Sequence, residues 1–182
     1  MRHSKYHTAE EIAEMRARGY DFTYLAKLEA CPRNGMRNDL INGIRGAFQG
    51  VTLGNGVGLM EGQALDDYAD AETCAAIRAK DEKEDWSKLD AELLHQCQSS
   101  LSFFDAEGMR FHLPAFLIQG LLEEIDPPIF TLTRNTLLDR FTLLSPDQRA
   151  IVRDYLRFMI DDPDGSYHKQ DLLKSIAGYW AD

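Results

Sequence analysis

The chain has 182 residues, of which 44% are hydrophobic and 27% are charged, close to the averages for soluble globular proteins. These values exclude a wholly disordered chain, a collagen-like repeat and a small disulfide-dense protein, and the short apolar runs exclude a membrane-spanning helix. Thirty acidic and 20 basic residues give a net charge of −10, which argues against nucleic-acid binding because that affinity comes from cations that neutralise phosphates. The length predicts a single domain with a substantial core.

The negative charge is unevenly distributed along the chain. Residues 1–50 carry eight basic and six acidic side chains, for a net charge of +2. Residues 51–92 carry four basic and 11 acidic side chains, for a net charge of −7, and residues 93–182 carry eight and 13, for −5. An acidic surface of this kind either keeps a protein soluble or steers a basic partner toward it.

The N-terminus and the cysteines indicate a cytoplasmic protein. The N-terminal residues contain no apolar stretch of the length that a secretory signal needs, so we expect the mature chain to be the whole chain. The chain has an odd number of cysteines and no CxxC pair: they are Cys31, Cys74 and Cys97. We therefore expect free thiols in a reducing compartment.

Helical signals dominate the first fifty residues. Thr8 and Glu11 have the spacing of a capping box, and a second short helix is expected over residues 23–30. The next helix is indicated by apolar side chains that recur every four residues, at Met36, Leu40, Ile44 and Phe48. We expect residues 1–34 to form an N-terminal helical segment that packs on a core formed by residues 35–182.

A glycine-rich stretch follows this helix. The pair Asn55-Gly56 lies between two short alternating pieces, which predicts a small β-hairpin near residues 51–59. A phosphate-binding loop is an alternative, but an acidic segment follows in place of the lysine and hydroxyl residue that such a loop needs. The sequence therefore favours a turn.

The middle of the chain predicts further helices. Two are expected over residues 61–69 and 71–80, and an apolar stripe with helical spacing predicts another from Trp86 to Leu101.

Turn and proline signals divide the rest of the chain. Gly108 indicates a sharp turn, and Pro114 suits the first turn of the next helix. Residues 129–133 are rich in β-branched and aromatic side chains, which indicates a short strand or an extended connection. Ser145 and Gln148 have capping-box spacing at the start of the best-defined helix.

These patterns together predict a mainly α fold. We expect a single compact helical domain over residues 1–182 with about seven to nine helices, and one small hairpin near residues 51–59.

No metal or cofactor motif occurs in the sequence. The histidines and cysteines lack a zinc spacing, the acidic clusters lack the calcium-loop pattern, and neither HExxH nor GxSxG is present. We therefore expect no metal and no cofactor, and the absence of a catalytic motif argues against an enzyme.

The first candidate site is the set of carboxylates in the most acidic part of the chain. Clustered carboxylates often form a solvated helix face, but they also contact lysine and arginine on a partner. The candidate partner-binding residues are Glu61, Asp66, Asp67, Asp70, Glu72, Asp81, Glu82, Glu84 and Asp85.

The second candidate site lies in an aromatic segment, where Asp105, Glu107, Arg110 and His112 fall within eight residues. These side chains could form an acid/base cluster in a pocket, with His112 titrating near neutrality. The structural alternative is that Asp105 caps a turn, Arg110 pairs with an acid and His112 bonds a backbone carbonyl beside a packed aromatic core.

The segment LSFFDAEGMRFHLPAFL supports a resemblance. It is preceded by VTLGNGVGLMEGQALDDYA and DEKEDW and followed by LLSPDQRAIVRDYLRF. These segments resemble a family of small bacterial proteins of unknown function, over about residues 38–160. The resemblance implies a bacterial cytosolic protein with one mainly helical domain, and it implies no activity.

Three functions are open at this point. We expect a cytosolic acidic protein-binding module, such as an immunity-type inhibitor that neutralises a basic toxin or enzyme, by analogy with other proteins of this size and charge. One alternative is a small enzyme or ligand-binding protein with a pocket around Arg110 and His112, and another is a homo-oligomeric structural protein. We expect no nucleic-acid or membrane partner.

Overall fold

The computed structural model describes residue 7, residues 9–161 and residues 169–181. This part of the chain is mainly helical, as predicted, and contains ten α-helices, one more than the upper end of the expected number. The α-helices are α1 (Ala9–Ala17), α2 (Phe22–Glu29), α3 (Pro32–Ala47), α4 (Leu59–Asp66), α5 (Ala71–Arg78), α6 (Ala91–Gln96), α7 (Ala106–Leu121), α8 (Ile129–Thr133), α9 (Pro146–Ile160) and α10 (Lys169–Ala177). Three 3₁₀ helices lie between them, at Trp86–Lys88, Gln98–Ser102 and Asn135–Phe141.

Helix α7 forms the centre of the hydrophobic core. Its side chains at Phe111, Leu113, Phe116 and Leu117 have no exposed surface. Helix α3 packs against both α7 and α9, and α10 packs against α9. Most residues of α7 are buried, and apolar side chains occur on all sides of this helix. No helix in the described residues is long and apolar enough to cross a membrane.

The N-terminal helices attach to this core through α3. Ile12 of α1 and Leu25 of α2 are buried, outside the main hydrophobic cluster. The Arg37 guanidinium of α3 is buried, where its Nη1 donates to the carbonyl oxygen of Leu121 at 3.5 Å and its Nη2 lies 3.9 Å from Glu11. The division of the chain at residues 34 and 35 stays a prediction. The expected capping box at Thr8 lies outside the described residues.

The predicted β-hairpin near residues 51–59 is wrong, since the described residues contain no strand. The amides expected to pair across the hairpin have other acceptors. Val57 N–H donates to the carboxylate of Asp105, and Gly58 N–H donates to the carboxylate of Glu61. The positive φ lies at Gly54 (58°) and not at the predicted turn pair. Side chains from other elements thus replace the cross-strand partner.

The predicted helix from Trp86 to Leu101 is divided into a 3₁₀ turn, α6 and a second 3₁₀ turn. A carboxylate caps the N-terminus of two of these pieces. Asp85 accepts the amide of Ser87 at 3.0 Å, and Asp90 accepts the amide of Leu93 at 2.8 Å. The apolar stripe therefore predicted burial correctly but not helical continuity.

Two further predictions were wrong for local reasons. Gly108 and Pro114 lie inside α7, which begins eight residues before the predicted proline start, because Asp105 caps it by accepting the amide of Gly108 at 2.8 Å. Residues 129–133 form the short helix α8 and not a strand. The capping box of Ser145 is confirmed, since its Oγ accepts the amide of Gln148 and the Gln148 Oε1 accepts the amide of Ser145.

Candidate functional site

The glycine loop, which we define as residues 53–58, is held by Asp105 and Arg78, two charged side chains from later parts of the chain. One oxygen of Asp105, Oδ1, accepts the amides of Val57 at 3.1 Å and Gly108 at 2.8 Å. Arg78 closes the other side of the loop, because its guanidinium donates to the carbonyl oxygens of Gly54 and Gly56, both at 3.0 Å. The loop is therefore fixed by side chains that follow the residues they contact by 22 to 48 positions.

Glu61 and Asp81 complete this arrangement at the start of α4. Glu61 accepts the amide of Gly58 at 2.9 Å, and the same oxygen lies 3.4 Å from Nε of Arg78. Asp81 accepts the amides of Met60 at 2.9 Å and Glu61 at 3.2 Å, so it caps α4 from outside the helix. Burial raises the pKa of Asp81, against the opposing effect of these two amides.

Glycines allow these groups to approach closely. A Cβ on Gly56 would collide with the backbone nitrogen of Gly108, and a Cβ on Gly58 would collide with the carboxylate of Asp81. A Cβ on Gly108 would lie 2.6 Å from the carbonyl oxygen of Val57. The amides of Val57, Gly58, Met60 and Glu61 all donate to the protein's own carboxylates, so these four amides are not available to a phosphate.

Glu82 and Asp85, two more of the candidate carboxylates, accept hydrogen bonds from the backbone that follows Asp81. Oε1 of Glu82 accepts the amides of Lys83, Glu84 and Asp85. Asp85 accepts both the amide and the hydroxyl of Ser87. Hydrogen bonds from these amides and this hydroxyl lower the pKa of both carboxyls, so Glu82 and Asp85 are ionised near neutral pH.

A different environment surrounds the turn between α4 and α5, which we call the acidic corner: Asp66, Asp67, Tyr68, Asp70 and Glu72. Asp67, Asp70 and Glu72 are exposed, Asp66 is half-buried, and Tyr68 is 96% exposed. Asp70 caps α5 by accepting the amide of Thr73 at 2.8 Å, and this hydrogen bond lowers the pKa of its carboxyl. The corner therefore presents carboxylates around one exposed aromatic ring.

The backbone of the corner places Tyr68 where glycine is usual. Tyr68 has φ 59°, its amide donates to the carbonyl of Leu65, and the amide of Ala69 donates to that of Ala64. This pair of bonds is the Schellman helix ending, in which a residue with positive φ follows the C-cap. At the end of α1 the corresponding residue is Gly19, with φ 80°. A left-handed conformation costs a non-glycine residue roughly 1–2 kcal/mol.

The sequence patterns did not single out Tyr68, which lies within the helix expected over residues 61–69. The available signal was local: Tyr68 follows the end of a helix and precedes Asp70, a capping residue. A residue between a helix end and the next cap is more often a turn residue than a core residue.

The second candidate set, Asp105, Glu107, Arg110 and His112, is spread over α7 and its cap. Asp105 is the cap described above, and Glu107 is exposed. Nε of Arg110 donates to Oε1 of Gln148 at 3.3 Å. His112 is fully buried. The structure therefore agrees with the capping role for Asp105, while Arg110 pairs with an amide and not with an acid.

His112 is an integral part of the core. Its ring stacks on Phe104 with 4.3 Å between centroids, and Nδ1 lies 2.7 Å from the carbonyl oxygen of Gly108. Since a carbonyl only accepts, Nδ1 carries the proton, and the buried Nε2 has no hydrogen-bond partner in the described residues. Burial lowers the pKa of His112 to about 4. The ring is neutral at pH 7 and has no exposed surface for acid/base chemistry.

The cysteines are unpaired in the structure: Cys74 and Cys97 are buried and Cys31 is half-buried. Burial raises the pKa of Cys97 to about 11, so its thiol is protonated at neutral pH. In the part of the chain that the structure describes, no group of three or more His, Cys, Asp or Glu side chains is arranged to hold a metal ion.

A comparison with protein-family models identifies the chain's relatives. A model described as a family of unknown function, DUF6714, matches residues 36–182. The chain belongs to this family. The DUF6714 match confirms the resemblance to an uncharacterised family, while the motif within LSFFDAEGMRFHLPAFL and a bacterial origin stay predictions. Searches of curated proteins and of solved structures found no match, so the function of this DUF6714 protein is argued from its own residues.

Proposed function

We propose that the protein is a cytosolic acidic protein-binding module whose acidic corner contacts a basic protein. The observation that carries the proposal is the almost fully exposed ring of Tyr68 among Asp67, Asp70 and Glu72. Tyrosine is among the residues that contribute most to binding at protein interfaces. Carboxylates around it would steer a basic surface toward the ring and select against acidic proteins.

The conformation of Tyr68 also supports the proposal. A glycine at this position would end α4 with less backbone strain, as Gly19 does for α1. Strained residues that the surrounding structure holds in place are concentrated at functional sites. The corner is held by the Schellman bonds of α4 and by the cap of α5, so the ring is presented from a rigid turn.

The structure divides the nine carboxylates of the first candidate set. Four of them, Glu61, Asp81, Glu82 and Asp85, are only partly exposed and bond to the protein's own backbone, so substitutions there would disturb folding. The proposed contact surface is therefore narrower than the candidate set and consists of the acidic corner, with Glu84 as a further exposed carboxylate.

An immunity-type inhibitor is the specific form of this proposal. Such an inhibitor has to recognise a basic toxin or enzyme rapidly, and opposite charge raises association rates. The homo-oligomeric alternative stays a prediction, and sedimentation velocity over a range of protein concentrations tests it directly.

A photo-crosslinking experiment tests the position of the contact. We would introduce p-benzoylphenylalanine in place of Tyr68 and, as a matched control, in place of Leu143, which is 45% exposed in another part of the chain. In the native cell, position 68 should trap one basic protein and position 143 should not. The same adducts at both positions, or none at position 68, would contradict the proposal.

Charge reversal with the captured protein tests the energetics. Asp67→Lys with Glu72→Lys removes two exposed carboxylates that cap no helix, and should weaken binding about tenfold at low salt, with a smaller salt dependence. Glu124→Lys with Asp139→Lys makes the same change of charge on other exposed residues. If both pairs weaken binding equally, only the net charge matters and the corner is not the contact surface.

A further inference from the structure

A cleft lies between α8, the 3₁₀ helix Asn135–Phe141 and α10, in a region that the proposed function does not use. We call it the α8–α10 cleft. Its volume is about 730 Å³, within the range of small-molecule sites in proteins. The residues that matter for its chemistry are Phe130, Arg134, Thr136, Leu138, Lys174 and Tyr179.

The walls of the cleft are fixed to each other. The carbonyl oxygen of Leu132 in α8 accepts two hydrogen bonds, from Oγ of Ser175 at 3.1 Å and from Nε1 of Trp180 at 2.9 Å. Arg149 of α9 donates to the carbonyl of Tyr179 at 2.6 Å and lies over the Tyr179 ring, 4.6 Å from its centroid. These bonds join three helices, so the cleft exists without a ligand to organise it.

Two cations line the cleft of a strongly acidic protein. The guanidinium of Arg134 lies over the Phe130 ring at 4.3 Å from its centroid. A guanidinium that stacks by its face keeps its N–H edge available for a carboxylate. Lys174 is exposed, and neither cation forms an ion pair with a described residue. Asp171 is the acidic residue of the lining, which leaves the cleft with a local excess of positive charge.

Apolar surface lies beside these cations. Phe130 is 55% exposed, and Leu138 and Tyr179 are partly exposed and complete the apolar side of the cleft. A ligand that satisfies both features has an anionic end and a flat apolar body.

We infer that the α8–α10 cleft binds a small aromatic carboxylate. The carboxylate would contact the Arg134 guanidinium and the Lys174 ammonium, while the aromatic body lies against Leu138 and Tyr179. No residue of this site belongs to the acidic corner, so the two proposals succeed or fail separately.

NMR titration of the full chain with 2-naphthoate tests the inference. We expect saturable shifts confined to the amides of residues 130–138 and 171–179. The neutral isostere 2-naphthamide should bind at least about fivefold more weakly, since it lacks the charge that the two cations recognise. Shifts spread over the surface, no shifts, or equal affinity for the two probes would overturn the inference.

Variants locate the recognition of charge. Arg134→Gln and Lys174→Gln should each weaken 2-naphthoate about fivefold and leave 2-naphthamide unchanged. Lys169→Gln removes the same charge from α10 outside the cleft and should change neither affinity. Thr136→Trp, at the exposed rim, should weaken both probes by obstructing the cleft. If Lys169→Gln matches Lys174→Gln, the effect is one of net charge and the assignment of the site is wrong.

Discussion

The glycine loop and the acidic corner both lie in the most acidic part of the chain, yet their carboxylates have different roles. At the glycine loop, Glu61, Asp81 and Asp105 accept backbone amides and are part of the fold. At the acidic corner, Asp67 and Glu72 accept no amide from the described residues and face solvent, and Asp70 is exposed although it caps α5. A dense run of acids is therefore not an interface as a whole. The carboxylates available to a partner are the exposed ones, including Asp70, which also caps α5 with one oxygen.

The two regions also use backbone freedom differently. The glycine loop has glycines where two segments approach too closely for a Cβ, as at Gly56 and Gly108. The acidic corner has a tyrosine at a position of positive φ that glycine would occupy with less strain. We expect substitutions in the first region to change stability, and those in the second to change binding.

The largest effect is expected at the contact between Gly56 and Gly108. Gly56→Ala should destabilise the protein by about 3 kcal/mol, the upper end for overpacking, because the colliding atom is backbone. Urea denaturation measures the change. As the control, Gly46→Ala on α3 has no atom within 4 Å of the new Cβ and should stabilise by up to about 1 kcal/mol. Equal effects of the two substitutions would show that the loop is not closely packed.

His112 should make stability depend on pH. Its pKa is about 4 when folded, against 6.5 for the ordinary group. The unfolded chain therefore binds more protons between these values, and the free energy of unfolding should fall by roughly 3 kcal/mol as the pH decreases from 6.5 to 4.

The difference between wild type and His112→Leu isolates this contribution. Asp81, whose pKa is raised, acts in the opposite direction, and the lowered pKa values of Asp70, Glu82 and Asp85 act mainly at lower pH. In wild type, NMR should show the His112 ring titrating well below pH 6.5. A ring that titrates at its ordinary pKa would contradict the buried, neutral state.

A smaller effect is expected at Asp81, which caps α4 from a distance. Asp81→Asn should destabilise by about 1–2 kcal/mol, because one of two amides loses a charged acceptor. Glu84→Gln, at a neighbouring exposed carboxylate, should change stability by less than about 0.5 kcal/mol. Thermal melts compare the two variants. A Glu84 variant as unstable as the Asp81 variant would count against the distinction between internal and exposed acids.

The smallest effect should have the opposite sign. Tyr68→Gly relieves a left-handed tyrosine but increases the entropy of the unfolded chain, so we expect stabilisation by up to about 1 kcal/mol. The same variant should lose capture of the partner.

Gly19→Ala provides the reciprocal control, since it places a Cβ in the equivalent position of α1, and it should destabilise by about 1 kcal/mol. Loss of stability in Tyr68→Gly would show that the ring serves packing, and unchanged capture would exclude it from the interface.

Local signals predicted much of the fold. The capping box at Ser145, the helices α3 and α9, and the burial of Trp86, Leu89 and Leu101 are all present in the structure, whereas Met36 of the predicted α3 stripe is 56% exposed. Boundaries failed where a capping carboxylate outweighed periodicity. Asp90 restarts a helix inside an apolar stripe, and Asp105 begins α7 ahead of the proline.

The candidate sites could be predicted only in part. The sequence indicated where carboxylates are dense, because composition is a property of the chain. It did not indicate which of them are exposed, and it placed Tyr68 within a helix over residues 61–69. No sequence pattern links Arg134 with Lys174, because they are 40 residues apart and only the packing of α8 on α10 brings them to one cleft.

The sequence by itself determined the helical class, most of the core and the excess of acids, because these depend on composition and on spacings of three or four residues. The tertiary structure decided what each acid does. Asp81 accepts an amide 21 residues away and Asp105 accepts one 48 residues away, and no local pattern records such a pairing. An acid that accepts the amide of a distant segment becomes part of the fold, whereas Asp67 and Glu72 beside Tyr68 stay in solvent and remain available to a partner.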